Sequence, residues 1–222
     1  MIYVTGDTHI PLDVGKLESM PEQNMSKDDL LVICGDFGGI WDDSRQRQDY
    51  LNDLNQKNYT VAFVDGNHEN FELLDHYGVE RWNGGNVHRI MENIYHLMRG
   101  QVYSIQGKRF FTMGGANSFD KMFRIPGVSW WAREMPSAEE YIEARDNLKK
   151  ADYQVDYIIT HTAPLSIIEA FCQPFEEIVL NRFLEEVKER TVFRQWFFGH
   201  VHKDITVNDH FTAVFQMIHR IL

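Results

Sequence analysis

Val61-Ala62-Phe63-Val64-Asp65-Gly66-Asn67-His68-Glu69-Asn70 joins an apolar run to a glycine and then to an amide, an imidazole and a carboxylate. A strand that ends at once in polar donors is the mark of an α/β sheet, whose ligand sites lie beyond the carboxyl ends of its strands. Working outward, the same punctuation recurs. Residues 2–5 run into Gly6-Asp7-Thr8-His9, residues 30–34 into Gly35-Asp36, residues 155–160 into His161, and residues 192–198 into Gly199-His200-Val201-His202. Further β-branched and aromatic runs at 101–105, 109–113 and 211–215 read as strands, with a Gln106-Gly107 turn that suggests antiparallel pairing.

Helical stretches alternate with these runs. Residues 42–57 are rich in helix formers, and 175–190 carries Phe175, Val179, Leu180, Phe183, Leu184 and Val187 at helical spacing after Pro174. Ser137 with Glu140 three residues on forms a capping-box signature for a helix reaching about Lys150. The economical reading is a mixed α/β domain spanning residues 1–222, with no repeat, low-complexity segment or linker.

Composition narrows the partners. The 33 acidic residues against 22 basic ones give a formal net charge of -11, which repels the phosphate backbone of long nucleic acids and disfavours non-specific DNA binding. Only two cysteines occur, Cys34 and Cys172, without metal or redox spacing, and both read as buried thiols of a reducing compartment. Neither a basic leader region nor a membrane-length apolar window is present, so the expected location is the cytoplasm.

Five strand ends thus deliver two carboxylates (Asp7, Asp36), one amide (Asn67) and four imidazoles (His9, His161, His200, His202) toward one rim, with His68 beside them. This oxygen and nitrogen set, free of thiolate, suits manganese, iron or zinc. It exceeds the needs of one ion and fits two; adjacent ions roughly 3.5–4 Å apart polarise a phosphoryl oxygen and generate hydroxide near neutral pH. A lone histidine at a strand end is more often structural, and His76, His88, His96, His210 and His219 keep that reading.

The five blocks in this order resemble the signature of the calcineurin-like metallophosphoesterase superfamily, over nearly the whole chain. The resemblance implies an αββα sandwich of two mixed β-sheets flanked by helices, with two divalent metal ions. Asp7, His9 and His202 would hold one, Asn67, His161 and His200 the other, and Asp36 would bridge them. A metal-bridging hydroxide would attack phosphorus in line, His68 would assist the leaving oxygen, and Glu69 would brace the turn from outside the ligand set.

The sequence also departs from the phosphoprotein phosphatase branch. Gly35-Asp36-Phe37-Gly38-Gly39-Ile40-Trp41 lacks that branch's second Asp and its Arg, and Asp65 replaces an arginine before Gly66. His68 then needs another orienting partner, with Asp42, Asp43 and Asp65 as candidates, and a protein phosphatase is discounted. Replacement cations are offered by residues 114–131, where Lys121 and Arg124 stand among aromatics and could meet a phosphate, with Trp130 or Trp131 as a substrate face. The expected activity is hydrolysis of a small phosphomonoester or phosphodiester. The alternatives are a nuclease of the same superfamily and a non-catalytic metal-binding scaffold.

Overall fold

The runs at 2–5, 30–33 and 60–63 are apolar on both faces, and strands of that composition need cover on both sides. In the computed structural model, which describes residues 1–169 and 178–222, they form β1 (Ile2–Thr5), β2 (Leu30–Ile33) and β3 (Thr60–Phe63), parallel neighbours with nearly every side chain buried. β6 (Ile94–Leu97) pairs in parallel with β3, then β5 (Gly85–Met91) and β4 (Val79–Trp82) follow antiparallel. A last short strand, β13 (His219–Arg220), closes the other edge against β1, which makes a seven-stranded mixed sheet.

The second sheet has six strands. Its parallel centre is β8 (Lys108–Met113), β9 (Tyr157–Thr160), β10 (Gln195–Phe198) and β12 (Phe211–Ala213). The hairpin partner β7 (Val102–Ile105) and the strand β11 (Ile205–Asn208) flank it antiparallel. Gln106 and Gly107, both at positive φ, make the expected turn between β7 and β8.

Strand alternation sorts the core into three layers. Ile2, Val4, Leu30, Val32, Ala62 and Val64 meet Phe110, Tyr157, Ile159 and Phe197 between the sheets. Their neighbours Tyr3, Leu31, Ile33, Val61 and Phe63 face outward onto Leu51 and Leu54 of α1 (Arg45–Asn55). On the far side, Phe111, Ile158, Trp196 and Phe198 pack against Ala144 and Leu148 of α3 (Ala138–Lys150) and against Leu180, Phe183, Leu184 and Val187 of α5 (Ile178–Arg190). The architecture is the expected αββα sandwich. Two single-turn helices, α2 (Phe71–Leu74) and α4 (Leu165–Ile168), follow the ends of β3 and β9.

Several boundaries move, each for a local reason. The helix read over 42–57 starts only at Arg45, because the Asp42 side chain accepts a hydrogen bond from the Ser44 amide at 2.9 Å and holds a turn there. The strands read from 155 and 192 start at Tyr157 and Gln195, because Val192 instead makes an isolated bridge to Gln154. Of the stretch read as a helix over 175–190, Phe175 with Pro174 lies outside the described residues, as does Cys172. Cys34 is buried with a free thiol. Among the described residues no helix is long and apolar enough to cross a membrane.

Candidate metal centre

Each of the five blocks leaves its strand on the same side, and glycine is what lets four of the turns close. A Cβ at Gly66 would stand 2.0 Å from Asp36 Oδ1, and one at Gly199 would stand 2.2 Å from Asp7 Oδ1. No side chain fits there. Behind these turns His9, Asp36, His200 and His202 all take positive φ, a conformation non-glycine residues adopt only when their surroundings demand it. Four of the seven expected ligands are thus held in strained backbone, a pattern found where geometry serves a site.

The side chains converge. Asp7, His9, Asp36 and His202 each present one donor atom, and these atoms all lie within 4.8 Å of one another. His202 Nε2 is 2.9 Å from Asp7 Oδ2, and His9 Nε2 is 3.1 Å from Asp36 Oδ2. On the other side of Asp36, His161 Nε2 lies 3.4 Å from Oδ1 and 3.2 Å from Asn67 Oδ1. The His200 ring stands edge-on to His161 with centroids 4.9 Å apart, and the His200 amide donates to Asp7 Oδ1 at 3.1 Å. All seven residues are therefore neighbours.

Outer partners fix which ring nitrogen faces inward. His9 Nδ1 is 2.8 Å from Asp13 Oδ2, and His161 Nδ1 is 2.8 Å from the Cys34 carbonyl oxygen, so both rings aim Nε2 at the cluster. A ligating imidazole is ordinarily oriented in this way by a carboxylate or carbonyl on its other nitrogen. Asn67 is oriented by a longer relay. Buried Glu134 accepts from Ser118 Oγ at 2.6 Å, from the Ser118 amide at 3.0 Å and from Trp130 Nε1 at 2.7 Å. The single Ser118 hydroxyl proton is thereby spent, so its oxygen can only accept, and it does so from Asn67 Nδ2 at 3.3 Å. The Asn67 carbonyl oxygen is left pointing into the cluster.

Electrostatics agree with a cation site. Burial would raise the pKa of Asp36, yet the charge of His161 and the hydrogen bonds from His161 and His9 hold it well below the ordinary carboxylate range. Asp7 is lowered as well, against burial, through its bond to His202 and the charge of His161. His161, despite complete burial, is pushed up to about 10 by Asp36 and Asp7. Two buried carboxylates favour protonation of His161 and His9, and the same negative field would hold metal cations. Oxygen and imidazole donors in this number fit divalent first-row ions.

His68 borders the cluster. Its amide donates to Asp36 Oδ1 at 2.7 Å, and its ring is edge-on to His9 with centroids 5.2 Å apart. None of the proposed carboxylates meets its side chain. Asp65 is buried against Arg99, 2.6 Å from Nη2, and against His96 Nε2 at 3.1 Å, while Asp42 turns toward Arg47 at 3.4 Å. The neighbour is instead Arg124, with Nη1 3.3 Å from Nδ1 and Nη2 3.1 Å from Nε2. The two ring nitrogens diverge within the imidazole plane, so one planar guanidinium can reach both only by lying over the ring face. Burial, opposed by Asp36 and reinforced by Arg124, lowers the His68 pKa from its ordinary value.

The segment 114–131 thus enters the site through Arg124, whose Nε is anchored by Asp120 at 2.6 Å, while Lys121 donates to Asn117 Oδ1 at 3.1 Å. Of the two tryptophans offered as a substrate face, Trp131 does not form an open one, and Trp130 is half-buried. Trp131 is buried in the outer core edge-on to Trp41, and Trp130 is tied to Glu134. Glu69 ties its turn to the neighbouring 35–37 turn: Oε1 accepts from the Phe37 amide at 2.8 Å, and burial with Asp36 nearby raises its pKa well above the usual value. The sequence reading missed Asp13, Ser118, Glu134 and Trp41. It also missed Lys16, whose buried ammonium donates to the Gly6 and Asp7 carbonyl oxygens at 2.9 and 2.6 Å. Asp13, four residues after His9, was the one with a visible spacing signal.

The profile of the calcineurin-like phosphoesterases matches residues 1–204, and the chain belongs to that family. Among solved structures it is similar to the phosphopantetheinyl hydrolase PptH from Mycobacterium tuberculosis, at 16% identity and a TM-score of 0.48, covering 96% of this chain and 89% of that one. Comparison with curated proteins gave no significant match.

Proposed function

We propose that the protein hydrolyses a small phosphate ester, monoester or diester, at a centre of two divalent ions, manganese, iron or zinc. The observation that carries the reading is Asp36: one buried carboxylate whose Oδ2 faces His9 at 3.1 Å and whose Oδ1 faces His161 at 3.4 Å, placed between two donor groups as a bridging ligand would be. Asp7, His9 and His202 would hold one ion and Asn67, His161 and His200 the other. The ions, when bound, would supply Lewis-acid activation of water and neutralise phosphoryl charge.

The chain's own groups divide the remaining work. His68 lies beside the cluster, where it would hydrogen-bond the leaving oxygen and pass it a proton. Arg124 keeps the imidazole in place from its face and adds positive charge where a phosphoryl oxygen would lie, the service lost with the missing arginines of the phosphoprotein phosphatases. Lys121, three residues earlier, supplies a second cation on the same wall. The net charge of -11 favours a small phosphorylated substrate over nucleic acid.

The test is metal analysis with turnover on p-nitrophenyl phosphate and bis-p-nitrophenyl phosphate, for the wild type and His68→Ala. Two equivalents of metal and turnover that collapses in the variant are expected. Two equivalents with no turnover on either ester would favour the scaffold alternative, and one equivalent would remove Asp36 as a bridge.

A further inference from the structure

An apolar groove opens beside His68 that the chemistry above does not use. It has a volume of about 230 Å³ and is lined by His9, Ile10, Leu12, Gly38, Trp41, Arg47 and His68. Two of these belong to the metal centre and its proton donor; most of the others are apolar. Leu12, 81% exposed, stands at the rim and extends the apolar lining toward solvent. Trp41 is held edge-on to buried Trp131 at 5.5 Å, with its ring 6.2 Å from that of His68. Arg47 lies at its edge, with Nη1 donating to the Ile10 carbonyl oxygen at 3.1 Å and Nε 3.4 Å from Asp42, whose charge offsets its own.

We infer that this groove receives the leaving group, and that the preferred substrate is the phosphate ester of an apolar, ring-bearing alcohol rather than of a polyol. The inference rests on the phosphoesterase reading. Hydrolysis forms a phosphorus–oxygen bond from water and breaks the one to the alcohol, whose oxygen takes a proton from His68. Whatever carries that oxygen extends past His68, and the groove, lined by both His68 and His9, adjoins the cluster there. Its volume falls below the roughly 300–1,000 Å³ of pockets for drug-sized ligands, so it suits one small ring. Trp41 offers such a ring an aromatic wall, and Gly38 lets the backbone of the lining pack against the 9–10 main chain, since a Cβ there would lie 2.6 Å from the Ile10 amide nitrogen.

The test compares 2-phenylethyl phosphate with glycerol 3-phosphate on the manganese-loaded full chain. Both release a primary alkoxide, so intrinsic reactivity is matched. The phenylethyl ester is expected to show a kcat/KM at least about tenfold higher, as one buried apolar group allows. That ratio should fall about fivefold or more in Leu12→Asp and in Trp41→Ala; Leu12 lies at the surface, so its replacement does not threaten folding. Equal efficiency for the two esters, or a ratio unmoved in both variants, overturns the inference. Should neither ester be turned over, the phosphoesterase reading is what has failed. Calorimetric binding of the same esters then decides the groove: tighter binding of the phenylethyl ester that Leu12→Asp abolishes upholds it, and equal binding overturns it.

Discussion

His68 faces a guanidinium where a general acid ordinarily keeps a carboxylate. Buried beside Arg124, it has a lowered pKa, which makes its protonated form a stronger acid but a smaller fraction of the protein near neutral pH. His68→Ala is expected to reduce kcat roughly 10²- to 10⁴-fold while leaving the manganese stoichiometry intact, read from steady-state kinetics and metal analysis of the same preparations. Loss of metal together with activity would make His68 a ligand instead. Ser118 acts one step further out. Ser118→Ala removes the acceptor that points Asn67 Nδ2 away from the cluster. Manganese affinity at the Asn67 side should drop roughly 10- to 100-fold in a calorimetric titration, the usual cost of losing a group that orients a ligand. Two unchanged binding steps would show that Asn67 needs no such support.

At the level of elements, the parts legible in the sequence were those with short-range causes. Largely apolar runs closed by glycine and polar residues marked β1, β2, β3 and β10, a similar run ending in Thr160-His161 marked β9, and the metal-ligand candidates all sat at their ends. Less legible were β4, β11 and β13, which are short and flank or edge the sheets; β4, for instance, is largely exposed and carries Glu80 and Arg81, so apolar patterning cannot reveal it. Residues that act from across the fold were hidden as well. Glu134 lies 67 positions from Asn67 in the chain, and only the packing of the 114–131 segment joins them through Ser118. The Ser137-Glu140 capping box was the exception, a local motif found as written. Glu140 there also meets Arg99 Nη1 at 3.1 Å, and Arg99 reaches Asp65 beneath the Gly66 turn. Ser137→Ala should therefore cost about 1 kcal/mol in urea unfolding, as cap removals do. An unchanged midpoint would mean that the Arg99 contact alone holds Glu140 and the start of α3.

For the molecule as a whole, acid stability should depend on a pair of histidines outside the proposed ligand set. His88 on β5 and His96 on β6 face each other with their Nδ1 atoms 3.1 Å apart, both buried, and His96 Nε2 contacts Asp65. Burial first, then the charge of His96 and more distantly Arg133, outweigh the pull of Asp65 and bring the His88 pKa down from 6.5 to about 4. Above pH 6.5 His88 is neutral in the folded and unfolded chain alike and contributes no pH dependence. As pH falls below that value the unfolded chain binds a proton that the folded chain refuses until about pH 4, so stability is lost across this window and levels off beneath it. The loss could reach about 3 kcal/mol, or roughly 6–12 °C in Tm for a chain of this size. Other groups titrate over the same range, so the quantity to measure is the difference between wild type and His88→Gln in thermal melts from pH 7 to pH 4. The variant's Tm should decline less steeply. Parallel curves would mean that the buried pair accepts its proton without strain, by separating the two rings or by opening this edge of the sheet to water.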